Sequence, residues 1–212
     1  MSDDHDVSAS DDLDPGAPQF DDASAAGGVE AANLGEDGRG DLPEGVEMPG
    51  ALEGPPGGAP ATLAIDVAKA KAFLAACMTS NPRVTYGLGA KIKAGQVPGK
   101  DFKAVDCSGF VRETIRRSTS LGGAFPDGSV VQHDWIKAKG FEKVDRATGG
   151  SSDGLVRIAF LSPKDAKSGI GHVVLLHGGK TLESHGGVGP NTRPWSGSGW
   201  QAKASVYVLS PH

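Results

Sequence analysis

The chain changes character near residue 60, and that break limits what can fold. Residues 1–60 hold fifteen Asp or Glu against one permanent cation, Arg39, a net of −14. The larger apolar side chains there are few and scattered: Leu13, Phe20, Leu34, Leu42, Met48 and Leu52. Such a stretch cannot bury enough apolar surface to offset the entropy of ordering it, so the sequence predicts a disordered acidic arm. Its end, residues 49–60, is a Gly- and Pro-rich linker without periodicity. The foldable part is therefore 61–212, enough for one domain with its own core. That part carries twenty Lys or Arg and eleven acids, a net of +9. The −5 of the whole chain is thus a cancellation between an acidic arm and a basic body.

Within the body, helical patterns precede strand patterns. Residues 63–78 repeat alanines and larger apolar residues around Lys69 and Lys71, which reads as a helix stopped by Asn81-Pro82. A second helix is expected over 107–118 and a short third one, carrying Trp135, over 132–139. Residues 155–161, 172–177, 180–184 and 204–209 are β-rich runs between Gly and Pro clusters. Gly178-Gly179 suits a tight hairpin turn. Helices first and strands afterwards predict an α+β domain, its N-terminal helices packed on a C-terminal antiparallel sheet.

The residue types that carry chemistry sit at the edges of these elements. Cys107, in Asp106-Cys107-Ser108-Gly109-Phe110, opens the second helix, where the helix dipole favours a thiolate. His172 lies 65 positions on, at the head of an apolar strand, and His185 follows 13 positions later. Nucleophile, base and orienting group in that order suit a cysteine hydrolase. A hairpin at Gly178-Gly179 sets residues 172 and 185 side by side, so His185 is the expected orienter of His172. His177 points to the opposite face by strand alternation and is set aside. Asp106 is a helix cap or a substrate group. The backbone N–H of Cys107 is the expected oxyanion donor. Cys77, in an apolar helix, reads as core. Neither C-x-x-C nor H-x-x-x-H spacing occurs, so no metal or other cofactor is expected. The lysines are dispersed without aromatic interleaving, which argues against nucleic acid. The Met1-Ser2-Asp3-Asp4 start lacks a signal-peptide pattern, and no stretch is long and apolar enough to span a membrane.

The order and wording of these segments resemble the NlpC family of papain-like cell-wall peptidases. The matching elements are Asp106-Cys107-Ser108-Gly109, Gly171-His172-Val173, a third polar residue about a dozen positions on, and the upstream Tyr86-Gly87-Leu88-Gly89. The resemblance as a whole covers roughly residues 63–209. The resemblance implies a papain-like NlpC-type fold and a cysteine peptidase or amidase acting on peptidoglycan stem peptides, most often between D-glutamate and a diamino acid. It also carries Tyr86, Asp106 and Ser108 over as substrate-binding positions. A papain-like acyltransferase or deamidase, and a non-catalytic wall-binding module, are the alternatives. A wall hydrolase without a secretory signal needs delivery by a phage tail, a secretion machine or lysis, and the acidic arm is a candidate docking tag for such a carrier.

Overall fold

The computed structural model describes residues 61–210, so the acidic arm read over 1–60 lies outside the described residues. Helix α1 (Val67–Thr79) starts later than its composition suggests, because the Asp66 carboxylate caps it by accepting the Lys69 N–H at 3.0 Å. Leu63, assigned to that helix from sequence, lies ahead of it and gives its N–H to the Leu209 carbonyl at 2.7 Å. The helix buries Ala70, Phe73, Leu74 and Cys77 on one stripe. Strands β1 (Thr85–Tyr86) and β2 (Ala104–Val105) form a small parallel pair. Helix α2 (Cys107–Ser118) spans the residues expected of it. Phe110 from α2 stacks on Phe73 from α1, ring centres 5.5 Å apart, which joins the two helices. Helix α3 (Ser129–Ala138) completes the helical layer.

Strands β3 (Lys143–Val144), β4 (Val156–Leu161), β5 (His172–His177), β6 (Lys180–His185), β7 (Gly189–Asn191) and β8 (Ser205–Ser210) make one sheet in the order β3-β8-β4-β5-β6-β7, antiparallel at every step. Gly178 and Gly179 join β5 to β6 with φ of 58° and 72°, the left-handed pair that a two-residue hairpin turn demands. Both faces of the sheet are covered. Val156, Ile158, Phe160, Val173, Leu175 and Leu182 pack under the helices with Phe110 and Ile115. Ala159, Val174, Leu176 and Val206 pack under Trp195 and Trp200. The central strands therefore read as apolar runs without clean alternation. Helix α2 lies on β5 and β6, which brings its first residue to the start of β5. Among the described residues no helix is long and apolar enough to cross a membrane.

Candidate active site

Helix α2 begins at Cys107 because Asp106 is extended and its Oδ1 accepts the Gly109 N–H at 2.6 Å. Glycine is needed at 109: a Cβ there would lie 2.9 Å from Asp106 Oδ1 and 3.1 Å from the Ala90 carbonyl oxygen. The thiol thus sits at the first helical position, where the amides of Cys107 and Ser108 have no preceding carbonyl in the helix to bond. Cys107 is 5% exposed, and its Sγ rests 3.9 Å from the Gly171 carbonyl oxygen, one residue before His172.

The cap is held from outside by a lysine that the sequence did not single out. Lys91 Nζ lies 2.6 Å from Asp106 Oδ2, 2.9 Å from Ser108 Oγ and 3.1 Å from Asp127 Oδ1. Burial works to lower the Lys91 pKa, but the Asp106 and Asp127 carboxylates outweigh it and raise it. Asp106 and Ser108, carried over as substrate-binding positions, are therefore already bonded within the chain. Tyr86 does lie beside Cys107: burial, together with the nearby Cys107 and Asp106, raises its hydroxyl pKa.

His172 faces two partners, the Cys107 sulfur and the Glu183 carboxylate. Its Nε2 is 2.9 Å from Glu183 Oε2, which leaves Nδ1 for the sulfur. Burial opposes charge on the ring, yet the bonds to Cys107 and Glu183 prevail and raise its pKa from 6.5 to about 9. The ring therefore carries both protons at neutral pH. Trp200 covers it edge-on, ring centres 5.1 Å apart. Glu183 is fully buried and keeps its charge because four donors converge on it. His172 supplies one, the Thr181 hydroxyl another at 2.5 Å, and Arg193 two, at 2.9 Å (Nε) and 2.7 Å (Nη2). Burial would raise the Glu183 pKa, but His172 and Arg193 hold it well below the usual carboxylate range.

His185 does not occupy the position expected of it. The far nitrogen of His172 is taken by Glu183, whereas His185 Nδ1 lies 3.1 Å from the Gly186 carbonyl oxygen. The β5–β6 ladder runs only from His177↔Lys180 to Leu175↔Leu182. Beyond it β6 departs to pair with β7, where His185 opposes Gly189, so residue 185 never comes abreast of 172. Glu183 is two residues back on the same face, a diagonal neighbour with a longer reach. A signal was present: Glu183 is the lone acid of its strand, two residues from His185 and on the strand that follows His172, and a buried carboxylate needs cations. His177 lines the space under α1 with Ile65, Val67 and Ala70, away from His172. His133 stacks on Phe160 and bonds the Tyr207 hydroxyl at 2.9 Å, a structural role. Cys77 is fully buried, and that burial pushes its thiol up to about 12.

Among the described residues no group of three or more His, Cys, Asp or Glu is arranged to hold a metal ion. No family model matches the chain, and none of the curated proteins matches it. What can be done chemically thus follows from the site itself. A thiol at a helix N-terminus, facing an imidazolium that is backed by a buried carboxylate, is equipped for attack on carbonyl carbon.

Proposed function

We propose that residues 61–212 form a papain-like cysteine hydrolase of the NlpC type, which opens amide bonds in peptidoglycan stem peptides. One observation carries this reading: the His172 ring sits between the Cys107 sulfur and the Glu183 carboxylate at the start of α2. In this scheme the thiolate attacks the amide carbonyl and the resulting oxyanion meets the backbone N–H of Cys107. His172 Nδ1 gives its proton to the departing amine as the C–N bond breaks, which leaves a thioester on Cys107. The ring, now neutral, takes a proton from water, whose oxygen attacks the thioester. The C–S bond then breaks, the acid departs, Cys107 returns as thiolate, and the proton taken from water leaves His172 as imidazolium. Glu183, in place of His185, fixes the ring throughout. Tyr86 lines the flank beside the sulfur, and Lys91 tethers Asp106 and Ser108 on that flank.

The stem-peptide substrate, with a D-glutamyl–diamino acid bond as first choice, follows from the motif resemblance. Delivery by a phage particle, a secretion machine or lysis, with the acidic arm as docking tag, is the accompanying reading. Incubation of purified sacculi with the protein and with Cys107→Ala tests the proposal. New amino and carboxyl ends should appear with the unchanged protein alone. Equal release by Cys107→Ala would sink the nucleophile assignment. Acyl groups moved to an added amine, without hydrolysis, would replace hydrolase by acyltransferase.

A further inference from the structure

One oxygen of Glu183 serves two cationic donors. Oε2 lies 2.9 Å from His172 Nε2 and 2.7 Å from Arg193 Nη2, while Oε1 takes Arg193 Nε and the Thr181 hydroxyl. Arg193 is anchored for this task by its backbone. Its carbonyl accepts the Thr181 N–H at 2.8 Å, and its own N–H donates to Thr181 Oγ1 at 2.9 Å. Its guanidinium also lies 5.8 Å from the centre of the Trp200 ring that covers His172. The groups facing His172 are Cys107 from α2, Glu183 and His185 from β6, and Arg193 from the segment after β7. Burial, and after it Arg193, lower the pKa of His185.

A single carboxylate thus balances two cations. Opposite Glu183 alone, His172 would hold its proton more tightly, because the carboxylate would have no other positive partner. A second cation on the same oxygen draws off part of that charge and repels the ring proton directly. We propose that Arg193 is a positioning residue for His172: by sharing Glu183 Oε2 it fixes the carboxylate and keeps the imidazolium able to release its proton. A less basic ring is the stronger acid toward a leaving amine, so this sharing favours turnover. The inference rests on the reading of His172 as acid and base to Cys107.

Its test is a titration of His172 by NMR in 15N-labelled protein, with the resonance assigned by its loss in His172→Gln. Arg193→Met removes the cation, Arg193→Gln does so with a gentler change of polarity, and Arg193→Lys keeps the charge but loses the two-pronged grip. The midpoint should rise by about one pH unit in the Met and Gln variants and stay near its original value in the Lys variant. Glu183→Gln should move it the other way. A midpoint that stays or falls on loss of the cation, or that rises equally with Lys, would overturn the proposal. The titration needs no substrate. A raised midpoint in a protein that releases nothing from sacculi would uphold Arg193 and reject only the substrate.

Discussion

Glu183→Gln removes one charge from the middle of the site while keeping the volume and an oxygen that can accept a hydrogen bond. His172 is raised from 6.5 to about 9 against the opposition of burial, with its side chain 16% exposed. That rise corresponds to about 3 kcal/mol, at roughly 1.4 kcal/mol per pH unit. Cys107 and Glu183 together outweigh burial, so loss of the Glu183 charge should lower the ring's pKa, by on the order of one pH unit. The sign follows from the direction of the shift. Stabilisation of the charged ring is fully present below pH 6.5 and is lost as pH rises through about 9. In Glu183→Gln the alkaline limb of kcat/KM should therefore move down by about one pH unit. The plateau should fall on the order of 10²–10⁴-fold, because the ring also loses its orienting partner. Rates on a defined stem peptide, measured across roughly pH 5–10, read both effects at once. A limb that stays in place with rates within about threefold of the original would refute the assignment of Glu183 as partner of His172.

The remaining expectations are simpler. His185→Ala should leave kcat/KM within about twofold, since its ring bonds the Gly186 carbonyl and makes no bond to His172; a loss as large as that of Glu183→Gln would restore His185 as orienter. Cys77→Ser should lower the melting temperature, because it buries a hydroxyl at a cost of about 1–3 kcal/mol, yet leave activity per folded molecule unchanged. Calorimetry and an active-site count of the same sample separate these effects.

The helix that begins at Cys107 was legible to the residue, because Asp-Cys-Ser-Gly is a capping pattern. Strand β5 and the Gly178-Gly179 turn were equally plain, since an apolar run bounded by two glycines has few other readings. The start of α1 was missed because composition extends through Leu63, whereas the cap that decides it is the Asp66 carboxylate. The two-residue strands β1, β2 and β3 leave no period to detect. For a geometric reason, His185 is not beside His172. Counting from the turn places 185 opposite 172, but the ladder ends at Leu182 and the strand then turns toward β7. Lys91 and Arg193 lie in loops, where no periodicity ties them to Asp106 and Glu183, 15 and 10 residues away, and only the fold brings the charges together.

The two halves of the site are assembled on different scales. His172, Glu183, Thr181 and Arg193 belong to one stretch of 22 residues, tied by the β5–β6 hairpin and the strap that returns to Thr181. Cys107 reaches them only through the seating of α2 on the sheet, a contact 64 residues removed in sequence. The half that holds His172, Glu183 and Arg193 is thus a local object tied by the hairpin, while Cys107 is brought to it by tertiary docking. A misplacement of about 1 Å between reacting groups is enough to cost about a hundredfold in rate. On the proposed function, competence would therefore be gated by one helix–sheet seam: a chain that is threaded, stretched or loosened at that seam would keep Cys107, His172 and Glu183 and yet be inert until the helix reseats.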